Sequence, residues 1–353
     1  MKYKGFLVIT LVCVLLLSAH IFAGTGKRIA TAGATELLIP VGARSTALAG
    51  ASVAGVGGID AIYWNPAGVA LADQNTEALF SYQNWIGDIN VTYLAATSKL
   101  GAIGSLGLSV KTLNFGDIME TTVANPEGTG STFSPSYLTL GVTYSRKMTD
   151  RILFGATAKM VSEKIMGTAA TGVGFDFGLQ YVSPLGGLKL GVVLTNFGAD
   201  MKFDGSNLEV RTVLPGTEAG TTLSSVAIPP ASFDLPSQLK IGVSYPVQFG
   251  QDMGLDVMGT FVNNAYSFDQ YIVGAEFDFR NAVFFRAAYA LAYKEGLEDQ
   301  SEGFVSANED FLFGPSFGLG LKLGKSVPIA LDYAYQVTEF FNDAQWLSLT
   351  VGF

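Results

Sequence analysis

"QWLSLTVGF", residues 345–353, sets Leu347, Leu349, Val351 and Phe353 on one side of an extended chain and Ser348, Thr350 and Gly352 on the other. Successive side chains of a strand point to opposite faces, so one face here is apolar and the other small and polar. The pattern recurs upstream. "QYIVGAEFDFR" (270–280) opposes Tyr271, Val273, Ala275, Phe277 and Phe279 to Gly274, Glu276, Asp278 and Arg280, and "TGVGFDFGLQY" (171–181) opposes Val173, Phe175, Phe177, Leu179 and Tyr181 to Gly174, Asp176, Gly178 and Gln180. "VPIALDYAYQVTEF" (327–340) repeats it with Ile329, Leu331, Tyr333 and Tyr335 against Ala330, Asp332, Ala334 and Gln336.

A soluble, half-buried sheet would alternate in the same way. Composition separates the two cases. Charged residues make up 14% of the chain, where about 25% is usual for a soluble domain. Yet after the first two dozen residues no stretch is long and apolar enough for a membrane helix, which needs roughly 20 apolar residues. An apolar chain without apolar runs hides its greasy surface in period-two alternation, as a membrane barrel does. About fourteen such segments, each near the roughly ten residues of a tilted membrane strand, run from 76–85 to 344–353. The fold expected is all-β, a transmembrane antiparallel β-barrel.

The joints between segments alternate in length. Those at 116–135, 199–236 and 295–312 are long, each follows an odd-numbered strand, and the intervening joints are short. Barrels keep short turns on the periplasmic side and longer loops outside. Odd strands therefore run outward, and an even strand count puts both termini in the periplasm. Trp85 and Trp346 then fall together at the outer rim, with Tyr181, Tyr245, Phe279 and Phe353 at the inner one, as two aromatic girdles. Phe353, a terminal aromatic on the last strand, resembles the signal read by the barrel assembly machinery.

The N-terminus reads as an export signal. Lys2 and Lys4 precede an apolar core from Phe6 to Leu17, with cleavage expected after Ala19 or Ala23. Residues 1–23 are assigned to it. Its removal takes the sole cysteine, Cys13, and the sole histidine, His20, and moves the formal charge from −9 to −11, with 19 basic against 30 acidic residues left. The mature chain then has no disulfide, no thiol or His-based catalytic set and no Cys/His metal site. No cofactor or metal is expected, and an acidic chain of this kind is not a nucleic-acid binder. Six carboxylates in 293–311 could hold Ca²⁺ through oxygen, but their spacing fits no EF-hand and a solvated acidic loop explains them as well.

Residues 24–75 do not alternate. They are rich in Ala and Gly, as in "PVGARSTALAGASVAGVGGIDAIYWNPAGVALAD" (40–73). Arg44, Trp64, Asn65, Pro66, Ala67 and Gly68 are not linker residues: Trp packs, and Pro66 restricts Asn65 to extended or turn geometry. A barrel of about fourteen strands is too wide for its own side chains to fill. Residues 24–75 are read as a hatch folded in the lumen of a barrel spanning 76–353, the alternative being a periplasmic arm. The charges counted as pointing inward, among them Lys111, Lys159, Asp176, Lys240, Glu276, Arg280, Arg286 and Asp332, suit ion pairing with such a hatch better than they suit an apolar channel.

At "GARSTALAGASVA" (42–54) and "YWNPAGVA" (63–70) the sequence resembles the PorV/PorQ proteins, outer-membrane barrels related in fold to the FadL-type fatty acid transporters. The resemblance implies a hatch motif at Asn65, Pro66 and Ala67. It also implies a non-enzymatic role in type IX secretion, in which such proteins bind exported cargo proteins. The FadL side of the resemblance implies instead a channel for hydrophobic small molecules, through a wall opening expected where Gly101, Gly104 and Gly107 thin out strand 3. Partners expected are outer-membrane lipids, the barrel assembly machinery and, on the first reading, secreted cargo or secretion-system components. The loop stretch "SSVAIPPASF" (224–233) is apolar for an exposed segment, which suits either the lipid surface or contact with a partner, and Val226, Ile228, Pro229, Pro230 and Phe233 are its candidate partner-binding residues.

Overall fold

The computed structural model describes residues 31–184, 186–213, 224–294, 303–306, 313–324, 327–338 and 341–353. Fourteen long strands follow one another. They are β1 (Thr76–Asn84), β2 (Asn90–Lys99), β3 (Ser105–Asn114), β4 (Ser136–Lys147), β5 (Ile152–Ile165), β6 (Thr168–Val182) and β7 (Lys189–Gly198). The second half comprises β8 (Gln238–Phe249), β9 (Met253–Asn264), β10 (Asp269–Phe279), β11 (Val283–Lys294), β12 (Phe313–Leu323), β13 (Ile329–Thr338) and β14 (Ala344–Gly352). Each pairs antiparallel with its neighbour in sequence, and β1 closes on β14 from Glu77↔Gly352 to Asn84↔Gln345. Closure leaves no ladder edge to face lipid.

The alternation sets the two faces. Phe80, Leu94, Leu108, Val142, Phe175, Val273, Leu319 and Leu347 are exposed on the outside. Ser81, Thr97, Thr143, Asp176, Gln180, Glu276, Asp332 and Ser348 are buried inside. Arg280 and Asn281, both in left-handed conformation (φ 56° and 51°), are the central residues of a primed turn closed by the Ala282 N–H on the Phe279 carbonyl (3.1 Å), within the three-residue joint from β10 to β11. Arg280 thus belongs to an exposed turn, ion-paired with Asp252 at 3.6 Å, and not to the lumen face expected for it.

Two sequence expectations about the wall are corrected. Strand 3 shows no opening: the β2–β3 and β3–β4 ladders are continuous along β3. Gly107 faces inward against Ile62, and Gly101 and Gly104 shape the turn before the strand. The ladder slips instead between Phe175 and Phe177 on β6 and between Phe313 and Ser316 on β12. Trp346 is not a girdle residue. It shares the parity of Ser348 and Thr350, lies inside the barrel fully buried, and meets the Trp85 ring edge-on at 5.9 Å.

Residues 31–75 lie inside this barrel as short helical turns: Thr35–Leu38, Ala43–Thr46, Ala51–Ala54, Gly58–Asp60, Ala61–Trp64 and Pro66–Leu71. The first described residues sit at the long-loop end, where Ala32 bridges Asp234 and the Gly33 N–H donates to the Asp234 carbonyl (3.1 Å). Phe353 is at the opposite, short-turn end, exchanging backbone hydrogen bonds with Thr76. The described chain therefore starts at the end opposite Phe353; the N-terminus itself, expected at the same end as Phe353, lies outside the described residues.

Candidate functional site

The site is the contact between hatch and wall. Asn65 is extended (φ −159°), as the following proline requires, and its Oδ1 accepts from the Ala67 N–H (3.2 Å), capping the turn that Pro66 begins. Its Nδ2 donates to the Val53 carbonyl (2.8 Å) and reaches the Leu179 carbonyl of β6 (3.4 Å). One side chain thus caps a turn, ties two hatch segments together and touches the wall. Gly68 has no room for a side chain, since a Cβ there would stand 2.2 Å from the Val56 carbonyl oxygen. Gly50 serves Trp64 in the same way: its φ is +85° and a Cβ would sit 2.7 Å from the indole. Trp64 is buried among Val41, Ile59, Ile62, Leu79 and Tyr93, and its Nε1 donates to the Val41 carbonyl (3.0 Å).

The wall facing the hatch is lined with glycine where the two backbones meet. A Cβ at Gly155 would lie 2.2 Å from Pro66, at Gly178 2.2 Å from the Asn65 Oδ1, and at Gly191 2.6 Å from the Val53 oxygen. Between these contacts, wall side chains satisfy hatch backbone groups that no regular ladder could pair. Ser145 Oγ donates to Ala67 O (2.8 Å), Gln180 Nε2 to Val56 O (2.8 Å) and Thr260 Oγ1 to Ala51 O (3.0 Å). The Ile59 N–H donates to Glu77 (2.8 Å), and Lys111 Nζ donates to the Glu36 and Ile39 carbonyls, both at 2.6 Å. Trp346 Nε1 donates to Pro40 O (3.1 Å), which explains why a tryptophan points into a lumen.

Charges hold the short-turn side. Arg44 donates to both oxygens of Glu276, with Nη2 at 2.9 Å and Nε at 3.2 Å. Arg286 bridges Glu276 (2.5 Å) and Asp332 (2.6 Å), and its side chain is 2% exposed. The neighbouring Glu276 raises the Arg44 pKa further, so this guanidinium is permanently charged. Burial pushes the hatch carboxyl of Asp60 up to about 6 against the pull of Arg44. Burial also raises the Tyr63 phenol, which stays a neutral donor to the Leu37 and Ile39 carbonyls (3.0 Å each). On the opposite wall Asp176 pairs with Lys159 at 2.8 Å and caps the β6–β7 slip by accepting from the Asn196 N–H (2.7 Å).

Cavities remain at both ends. At the long-loop end one of about 390 Å³ is lined by Trp64, Trp85, Ile39, Val262, Ile272 and Lys240, whose Nζ lies 5.7 Å over the Trp64 ring. At the short-turn end one of about 370 Å³ is lined by Arg44, Asp60, Glu77, Lys189, Arg286 and Asp332. The described residues contain no cluster of three metal-ligating side chains. The acidic residues considered for Ca²⁺ within 295–310 fall outside the described residues.

Of the candidate partner-binding residues, Val226, Ile228 and Pro229 are exposed and Pro230 partly so. Val226 sits on a ribbon of Glu209–Thr212 paired with Ser224–Ala227, beside exposed Val210. Phe233 does not belong with them. It turns inward, exchanges backbone hydrogen bonds with Met201 (2.9 Å), and packs with Phe203 on the cluster of Ala34, Leu37, Val161, Met201 and Leu235. Sequence reasoning missed Glu36, Asp60, Glu77 and Glu163 as inward carboxylates. For Glu77 the signal was present, because it shares the parity of Leu79 and Ser81 on β1. The hatch acids sit in a stretch with no period to read.

No curated protein matches the chain. Among solved structures the fold is similar to the CymD monoaromatic hydrocarbon channel, with a TM-score of 0.54 at 12% identity over 89% of this chain and 97% of that one. It is also similar to the Pseudomonas putida toluene transporter TodX (TM-score 0.52, 13% identity, 86% and 96%) and to a Pseudomonas aeruginosa FadL homologue (0.51, 13%, 89% and 98%). At such identities the likeness is one of fold alone, a closed antiparallel β-barrel. The family model described as type IX secretion system protein PorV matches residues 22–210, more than half of the chain, which therefore belongs to the PorV family.

Proposed function

We propose that this outer-membrane barrel is non-enzymatic and binds exported cargo proteins at its long-loop face, helping deliver them through type IX secretion. The observation that supports this reading best is the combination of a tied-down hatch with an exposed aliphatic ribbon. The lumen is crossed by buried ion pairs and backbone contacts, a poor path for solutes. Val210, Val226 and Ile228 stand exposed on a loop ribbon whose base is anchored to the hatch. Family membership supports the same role. On this reading residues 1–23 are the removed signal, the short turns and Phe353 face the periplasm, and the long loops face outward.

Affinity purification from the native membrane tests it. Exported proteins sharing one type of C-terminal domain should co-purify, and Ile228→Asp should reduce their recovery at least tenfold while the barrel stays folded. Equal recovery with Ile228→Asp would remove the ribbon from the reading.

A second reading, transport of hydrophobic small molecules, is favoured by one observation, the long-loop cavity with its aromatic wall and Lys240. A lipid or hydrocarbon recovered stoichiometrically with the purified barrel, and no cargo, would select it.

Phe353 is proposed as the assembly signal. It is exposed at the end of β14, with its backbone paired to Thr76. Deleting it should lower the amount of heat-modifiable, folded barrel in the membrane several-fold. An undiminished folded band on a cold detergent gel would count against the assignment.

A further inference from the structure

The hatch begins under the long loops with a carboxyl in an unusual place. Glu36 is 4% exposed, and so is Glu163, near the outer end of β5. Ala34 and Leu37, on either side of Glu36, pack with Val161 of β5, two residues from Glu163, so the Glu36 side chain faces that of Glu163 across the hatch–wall boundary. Among the described residues neither Glu36 carboxyl oxygen has a hydrogen-bond donor. Lys111, the nearest cation, spends its ammonium on the backbone carbonyls of Glu36 and Ile39. Two carboxylates buried face to face repel each other and cannot hydrogen-bond, whereas one shared proton turns the repulsion into a bond. A buried charged carboxylate without a donor would be costly.

We propose that Glu36 and Glu163 form a proton-dependent latch that holds the leading segment of the hatch closed over the long-loop cavity. Thr35, Leu38, Ile39 and Pro40, on either side of Glu36, line that cavity, so release of the segment widens it. The groups that face the pair are few. β3 contributes Lys111, and β4 contributes Tyr137, opposite Glu163 in the ladder. The hatch itself contributes Tyr63, which donates to the Leu37 carbonyl. The covering loop contributes apolar Met201, Phe233 and Leu235, with Lys202 exposed and Asp234 at the bridge to Ala32. Lys111 and Tyr137 are the titratable groups beside the pair, and the Lys111 ammonium is held by the Glu36 and Ile39 carbonyls. Burial, reinforced by Glu163, pushes the Glu36 carboxyl up to about 8.

The sign follows from which state binds the proton. The latched state holds a proton that a released Glu36, titrating in the ordinary carboxylate range, gives up. The latched state is therefore most favoured in acid. It loses stability as pH rises from that range towards about 8 and does not lose further above it. The latch is independent of which guest the outer mouth takes.

Leu37→Cys, beside Glu36 and buried, reports release in a mature chain that has no other thiol. Its labelling by a membrane-impermeant maleimide is measured on the mature barrel, without residues 1–23, in liposomes between pH 6 and 9, relative to the fully exposed Val123→Cys, which cancels thiolate chemistry. The normalised rate should rise at least tenfold over this range. Added Glu36→Gln, whose amide can donate to Glu163 at any pH, should hold the rate low and flat, and Glu163→Gln should do the same from the other side. A wild-type rate that ignores pH, or an equally steep profile in both glutamine variants, overturns the latch.

Discussion

Replacing Arg286 with methionine should cost the barrel about 3–5 kcal/mol, the usual effect of removing one partner from a buried charge set. Arg286 is the sole guanidinium within hydrogen-bonding distance of Asp332 among the described residues, and it shares Glu276 with Arg44 of the hatch. Its loss leaves Asp332 charged and unpaired in the lumen, while Glu276 keeps Arg44. Gly320 shows how closely the set is fitted, because a Cβ there would come within 2.7 Å of the guanidinium. Arg286→Lys should rescue only part of the loss, since a point charge cannot bridge two carboxylates as a planar fork does. Arg286→Met combined with Asp332→Leu should recover most of it, because an apolar replacement removes the stranded charge. The check is the urea midpoint of the folded barrel in detergent, read by heat-modifiable migration. Equal midpoints for Arg286→Met and the unsubstituted protein would mean that the ion pairs do not hold the lumen together.

The barrel was legible because period-two alternation is local. Each of the fourteen strands could be read from its own ten residues, and the unequal joints ordered them. What was not legible depended on contacts between distant segments. Trp346 looked like a rim residue by type, although its parity with Ser348 already placed it inside. Only the Pro40 carbonyl explains why a tryptophan belongs there. Phe233 looked continuous with Val226 and Ile228. Its separation from them comes from pairing with Met201 and from packing on Ala34 and Leu37, which no local pattern encodes. The Arg44 pairing with a lumen carboxylate could be anticipated from one arginine in an Ala/Gly stretch, but the choice of Glu276 could not. The wall glycines were visible as small inward residues. That they are seats for the hatch backbone emerges only when Gly155 is found against Pro66 and Gly178 against Asn65.

Those seats carry the second large prediction. Gly155→Val should dislodge the Asn65–Pro66–Ala67 turn from the wall. The clash would be with Pro66 carbonyl carbon and oxygen at 2.2 and 2.3 Å and with the Ala67 nitrogen at 2.5 Å, all backbone atoms that cannot rotate away. Overpacking a core commonly costs about 1–3 kcal/mol. Here the hatch can escape that strain by leaving the wall, which would also break the Ser145 bond to Ala67 and the Asn65 reach to Leu179. The fourteen-strand ladder does not use the Gly155 side-chain position, so the barrel itself should stay closed. The expected product is a folded barrel with a loosened hatch, distinct from the general destabilisation expected of Arg286→Met.

One cysteine reads both the native and the dislodged state. Ser52 is buried in the hatch, its hydroxyl has no hydrogen-bond partner among the described residues, and Ser→Cys changes little in size. The measurement is the labelling of Ser52→Cys by a bulky maleimide offered from both sides of the membrane to the folded barrel. With the native wall it should remain unlabelled over a time in which the exposed Val123→Cys reacts completely, and it should react after unfolding or with Gly155→Val. Labelling of Ser52→Cys in the native wall as fast as at Val123→Cys would contradict a hatch bound inside the barrel.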